Sequence, residues 1–359
     1  MPTLFTTFYA SGCASACRHC WAEGHPYPAV AYDTVATVAH QFHDEARSRG
    51  WGFELTFMNE LSTHPDAVRL IKLTRELGDT ADLSTDPYIT APHAPAERDD
   101  YPEFLASLRS VGVERFWISL HGSEKVHDWA VRRPGAHAAA LSLIRDALER
   151  GFRIGANLIL TKPALEDWDN LLLDLSRFPG LVVHPTATDF HVNRSAERYE
   201  QYRPTVRDVE AIAGDLCTLD SRGTAKWQNP EALREGAYAE LAHTRSGFYS
   251  AEPLVRITAG DTHISRHTDG TVLAGEGGRS RLVLGNTTTD TAETILNAVA
   301  SGGPLLKYYP VEHDRISTIP PVDVLAGEFA DRESDAVHTS PMSAYNLWVS
   351  RWNAAMMSQ

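Results

Sequence analysis

Three cysteines crowd into eight residues near the start of this chain, as Cys13-Ala-Ser-Ala-Cys17-Arg-His-Cys20. Thiolates spaced C-x3-C-x2-C on one loop can hold three corners of an iron–sulfur cube. No fourth cysteine lies nearby, so one iron would keep a position without a protein ligand. An open iron can bind a substrate or cosubstrate. The competing chemistry is a structural zinc site completed by His19 or His25. The remaining cysteine, Cys217, stands far along the chain. A disulfide scaffold would use more cysteines, more evenly spread, so a reduced compartment and a metal or cluster site fit better.

The elements that must position this loop alternate in type. β-rich runs at 3–10, 53–58, 81–85, 115–120, 152–160 and 181–186 are each followed by a stretch that can be helical. Val35, Val38, Ala39, Phe42 and Ala46 fall on one helix face, as do Ala140, Leu143, Ile144, Ala147 and Leu148. Gly50, Gly78 and Gly151 stand where helix C-caps are expected. Six β/α units in a row imply an α/β fold with a parallel sheet, doubly wound or curled into a barrel. The cysteine loop follows the first strand directly, at the end where active sites of such folds gather.

Near residue 190 the rhythm changes. Segment 193–204 is polar and reads as a connector. A helix is expected over 205–219 and another after Asn229-Pro230. Asp269-Gly270 marks a hairpin within 254–285, a short helix covers 291–300, and Tyr345, Trp348 and Trp352 are spaced to pack as one face. The expected organisation is 1–192 as the α/β unit and 193–359 as a mixed α+β extension.

Composition narrows the function. The chain has 359 residues, 43% hydrophobic, with 33 Lys and Arg against 47 Asp and Glu, a net charge of −14. That supports a sizeable core and an acidic surface, and argues against nucleic-acid binding. No apolar run approaches the roughly 20 residues of a membrane helix, and the N-terminus lacks the features of a secretory signal. A cytoplasmic protein is expected. The sixteen histidines form no metal-spaced set, and the serines no G-x-S-x-G elbow. Gly275-Glu-Gly-Gly278 is too weak for a dinucleotide site.

The cysteine triplet resembles the signature of the radical S-adenosylmethionine (radical SAM) superfamily, C-x3-C-x-Φ-C with Φ usually aromatic; His19 stands at Φ and Trp21 follows the last cysteine. The resemblance continues through about residue 190. Phe57-Met58-Asn59-Glu60-Leu61 is similar to the end of that family's second strand, where a Gly-Gly-Glu-Pro segment contacts the SAM amino group. Glu60 keeps the acid, while Met58, Asn59 and Leu61 replace the glycines and the proline. A carboxylate is what a buried ammonium needs as partner. Phe116-Trp117-Ile118-Ser119-Leu120-His121-Gly122 resembles the fourth strand, and His127-Asp128, Arg132 and Gly135 continue the pattern. Ala156-Asn157-Leu158-Ile159-Leu160 resembles the fifth.

The resemblance implies a partial (β/α)6 TIM-type barrel with a 4Fe–4S cluster and SAM inside its C-terminal mouth. Cys13, Cys17 and Cys20 would bind the cluster. His19, Glu60, Ser119, His121, Arg132 (or Arg133) and Asn157 would bind SAM. In that family an electron from the cluster cleaves SAM, and the resulting 5′-deoxyadenosyl radical removes a hydrogen atom from substrate. A separate donor such as flavodoxin or ferredoxin supplies the electron.

The C-terminal half would choose the substrate, a small molecule or a peptide. The segment from Ile264 to Asn286 with its following helix resembles a degenerate SPASM-type extension. It has no cysteine after Cys217, so no auxiliary cluster is expected. Cys217 has three readings: a core residue, since free cysteine is often buried; a hydrogen-atom donor, as in radical SAM epimerases; or a cluster ligand. The donor reading makes epimerisation the leading specific reaction. Dehydrogenation, rearrangement or bond formation in natural-product biosynthesis is the alternative. A zinc-binding or redox-sensing protein is the alternative of another class.

Overall fold

A computed structural model describes residues 3–19, 28–57, 60–79, 88–89, 93–96, 98–187, 200–202, 204, 206–219, 262–274 and 283–300. The expected strand 81–85, the helix after Asn229-Pro230, most of the 193–204 connector, Cys20, Trp21, His25, Met58, Asn59, Gly275–Gly278 and the Tyr345, Trp348 and Trp352 face lie outside these.

Six parallel-paired strands carry the first half: β1 (Thr3–Phe8), β2 (Gly52–Phe57), β3 (Tyr88–Ile89), β4 (Arg115–Leu120), β5 (Arg153–Leu160) and β6 (Val182–Ala187). They fall into two sheets, ordered β3-β4-β5-β6 in one and β2-β1-β7-β8-β9 in the other. β7 (Thr262–Arg266) pairs parallel with β1, then turns back through Gly270 (φ 87°) into β8 (Thr271–Ala274), which pairs antiparallel. A positive φ at that corner is why Asp269-Gly270 makes the hairpin. β9 (Val283–Asn286) completes the sheet. Among the described residues β2 and β3 do not pair, so the barrel is not closed. The extension is not a separate sheet, because β7 is hydrogen-bonded to the first strand of the α/β unit.

Helices form where the 3.6-residue period predicted them. α1 (Tyr32–Ser48) buries Val35, Val38, Ala39, Phe42 and Ala46. α2 (Ala67–Leu77) follows β2. α3 (His93–Ala96) and α4 (Tyr101–Ser110) precede β4, and α5 (Glu124–Val131) and α6 (Ala136–Glu149) link β4 to β5. α6 buries Ala140, Leu143, Ile144 and Ala147. α7 (Lys162–Glu166) and α8 (Trp168–Ser176) link β5 to β6. The expected helix over 205–219 is two short ones, Val206–Glu210 and Ala213–Leu219, separated by a turn in which Ile212 N donates to Val209 O. No helix among the described residues is long and apolar enough to cross a membrane.

Register decides which side chains can do chemistry. Ile118, Ala156 and Val183 stand in line across β4, β5 and β6, as do Leu120 and Leu158, and all join the core cluster that includes α6. Side chains alternate along a strand. Trp117, Ser119, Gly155, Asn157 and His184 therefore lie on the opposite face.

Candidate active site

The cysteine loop leaves β1 and is tied on every side. Ser11 Oγ donates to Glu60 O (3.1 Å), and Thr63 Oγ1 to Gly12 O (3.1 Å). Val30 N donates to Ala10 O (2.8 Å), closing the loop at its far end. Arg18, between two cysteines, grips the end of α5: its N donates to Ala130 O (2.8 Å), its Nε to Trp129 O (2.9 Å), and its guanidinium lies 4.8 Å from the Trp129 ring centroid. Tyr202 packs edge-on against that ring. The loop thus joins the C-terminal end of β1 to the helix that follows β4.

Cys13 is buried and Cys17 half-buried; neither forms a disulfide. Ser15 N donates to Cys13 Sγ (3.4 Å). A backbone N–H aimed at sulfur suits a thiolate ligand. Among the described residues no three His, Cys, Asp or Glu side chains form a metal-holding group, so His19 does not join Cys13 and Cys17 in one. His19 turns instead to His121, with ring centroids 4.7 Å apart. Burial pushes the His19 imidazole down to about 4. It also holds His121 well below its ordinary value, helped by the neighbouring His19 and His127. Both rings are therefore neutral at pH 7, each with one donor and one acceptor nitrogen.

Glu60 is fully buried at the end of β2, where it caps a single 3-10 turn, Leu61–Thr63. Its Oε1 accepts from Ser62 N (3.1 Å) and from Ser62 Oγ. Arg98 braces the same turn from below, donating to Ser62 O and His64 O. Ser119 and Asn157 are half-buried and in register, and β6 adds His184 to the row. Alternation within 181–186 sets His184 opposite Val183 and Pro185, a signal the sequence carried. Arg132 is exposed at the end of α5, with φ 58°, the single positive value among described non-glycine residues. Such a conformation costs about 1–2 kcal/mol. Arg133 beside it is half-buried.

Cys217 lies on another element. It is half-buried on the helix Ala213–Leu219 and packs against the main core; Asp215 on the same helix accepts from Trp168 Nε1 of α8 (2.9 Å).

An open parallel barrel with a thiol loop, a buried carboxylate and a polar row at its C-terminal mouth defines a cofactor-binding α/β enzyme class. The sequence profile of the radical SAM superfamily matches residues 8–175. Residues 8–175 thus carry a radical SAM domain, a family whose cofactors are a 4Fe–4S cluster and SAM. Among solved structures, Streptococcus suis SuiB bound to its precursor peptide SuiA is 14% identical with a TM-score of 0.51, covering 84% of this chain and 66% of that one. The structure of anSMEcpe with bound AdoMet is 11% identical with a TM-score of 0.49, covering 86% and 84%. Escherichia coli coproporphyrinogen III oxidase HemN, a radical SAM enzyme, is 15% identical with a TM-score of 0.42, covering 60% and 52%. At these identities the likeness is one of fold. No curated protein matches the chain in sequence.

The residues present fit the cofactors. The Cys13 thiol has a backbone donor, Glu60 is a buried carboxylate, and His121 Nδ1 is buried without a hydrogen-bond partner at the same mouth.

Proposed function

We propose that this chain reductively cleaves SAM and removes a hydrogen atom from a small-molecule or peptide substrate. The observation that carries this is the junction of the cysteine loop with the Glu60 turn after β2 and with His121 at the end of β4, the strand whose Ser119 is in register with Asn157 and His184. When bound, the cluster and SAM supply the 5′-deoxyadenosyl radical. The protein's part is to hold, orient and exclude water. Cys13, Cys17 and Cys20 hold the cluster. Glu60 would accept from the SAM ammonium, and Arg132 or Arg133 would pair its carboxylate. His19 and His121 wall the loop side, and Ser119 and Asn157 offer hydrogen bonds from the strand face opposite the core. A flavodoxin- or ferredoxin-type partner delivers the electron. The extension after residue 192 caps the mouth and selects the substrate, in the manner of a SPASM-type module without its clusters. SuiB carries a peptide on this fold, which supports a peptide as one substrate class.

The finer reading is inversion of a stereocentre, with Cys217 returning the hydrogen atom. It requires the thiol to reach the substrate radical. Packing of Cys217 against the core supports instead a role as a small hydrophobe.

The test uses anaerobically reconstituted full-length protein. About four irons and four sulfides per chain, with 5′-deoxyadenosine formed on adding dithionite and SAM, are expected. One zinc, no sulfide and no SAM cleavage would replace this reading with a structural zinc or redox-sensing protein.

A further inference from the structure

Four histidines, the last three buried, run as a column away from the cysteine loop. The His19 ring lies 4.7 Å from His121, His121 lies 5.4 Å from His127 on α5, and His127 lies 5.6 Å from His137 on α6. His137 Nε2 is 3.4 Å from Asp174 Oδ2 on α8. The last three rings are at most 5% exposed. One contact in the column is specific. His121 N donates to His127 Nδ1 (3.3 Å), so the nitrogen that accepts carries no proton and His127 is the Nε2–H tautomer. That bond fixes the backbone where β4 ends and the chain turns at Gly122 (φ 130°). The same backbone sets the His121 ring, and the His121 ring is the wall on which His19 rests. Apolar side chains would fill these positions at lower desolvation cost. They would not supply an acceptor for the His121 N–H, which would then be buried without a partner.

We infer that His127 is a positioning residue for the cluster loop, acting through the His121 backbone and the His19 ring, with His137 and Asp174 buttressing it from behind. It touches neither cofactor nor substrate. The inference rests on the reading of Cys13, Cys17 and Cys20 as cluster ligands, and it assigns the column a task that volume alone does not.

The experiment compares His127→Leu with His127→Asn in full-length, reconstituted protein. Asn carries an acceptor oxygen on Cγ, as His carries Nδ1, so it keeps the bond to His121 N; Leu fills the space without it. The g-values of the reduced cluster, with and without SAM, and the rate of iron loss to a chelator are read for each. The expectation is that Asn matches the parent. Leu should shift the g-values and lose iron about fivefold faster, the factor set by one neutral hydrogen bond. Alkylation of Cys13 and Cys17 in the cluster-free full-length chain, referenced to Cys217, gives a readout independent of the cluster. Leu should raise it about fivefold and Asn should not. If Leu equals the parent in alkylation and spectra, or if Asn is the more disturbed, the column is packing and the inference is overturned. Should Leu fail to fold, Asn alone decides: protection retained supports the bond, since Asn is a poor filler, and protection lost overturns it. A parent protein that binds no iron or sulfide would instead defeat the cluster reading, and the alkylation comparison would still decide the positioning role.

Discussion

Replacing Glu60 by Gln should weaken SAM binding about 10- to 150-fold and change little else. Glu60 is fully buried, and its Oε1 already accepts from Ser62 N (3.1 Å) and Ser62 Oγ. Gln has the same length and keeps an acceptor oxygen, so the 3-10 turn and its bonds to Ser11 and Thr63 can persist. What disappears is one negative charge in a site shielded from water. A hydrogen bond to a charged group contributes about 1.5–3 kcal/mol, and each 1.4 kcal/mol is about tenfold in affinity. Isothermal titration of SAM into the anaerobically reconstituted variant measures this directly, with iron content and thermal midpoint as controls. Glu60→Ala would be a blunter tool, because it also removes the cap of the turn, a loss of about 1 kcal/mol. A Gln variant with unchanged iron and a SAM Kd within about twofold of the parent would refute the assignment of the ammonium to Glu60.

Further outcomes follow from burial and packing. His121 and His137 lie below their ordinary value of 6.5, burial being the main cause and, for His137, outweighing Asp174. The unfolded chain therefore takes up protons below about pH 6.5 that the folded chain refuses, so stability is full above that pH and falls as pH drops through it. Thermal melts from pH 8 to pH 5 should show a falling midpoint, and a flat profile would contradict the buried neutral rings. A Cβ at Gly155 would lie 2.3 Å from the Trp117 ring; Gly155→Ala should cost about 1–3 kcal/mol by overpacking, read as a lower urea midpoint with altered tryptophan fluorescence. Cys217→Ala should leave 5′-deoxyadenosine formation intact. If an inverted product vanished while SAM cleavage persisted, Cys217 would be the hydrogen donor after all.

Much of the barrel is legible in the sequence because its signals are local. The strand at 115–120 has the same limits in the structure, and the buried face of α1 is the one its period marks. Gly50 and Gly151 take positive φ just past α1 and α6, as helix-ending glycines do. Gly78 departs: it ends α2 in an extended conformation at φ −71°. The split between Val206–Glu210 and Ala213–Leu219 was hidden, since apolar periodicity passes across a turn that keeps phase. The candidate site can be named from the sequence where one residue type decides, as with the cysteines and Glu60. It was not legible where the function lies between residues. Neither the His121–His127 bond nor the alignment of Ser119 with Asn157 and His184 has a signature along the chain. The first depends on how α5 folds back on β4, and the second on strand register, which a shift of one residue would reverse.

The cysteine loop also carries a mechanical role that its chemistry does not require. The two sheets share no strand pairing among the described residues. At the mouth they meet through this loop: Ser11 and Gly12 are bonded to the turn after β2, while Arg18 and His19 rest on α5 and on the end of β4. A cluster bound by its thiols would therefore tighten the junction of both sheets at once. The same ties act in reverse. Because Arg18 is anchored by two backbone carbonyls and an aromatic ring, and Ser11 by the carbonyl of Glu60, the described part of the loop, residues 11–19, is held by the protein itself. Less conformational entropy is then lost on binding. Just beyond the carbonyls that hold Arg18, Arg132 takes a left-handed backbone as the C-cap of α5, where Arg133 N donates to Asp128 O (3.0 Å). Strain of that kind persists where surrounding structure over-determines it, and here that structure is the closing turn of α5, whose Trp129 and Ala130 carbonyls also hold Arg18.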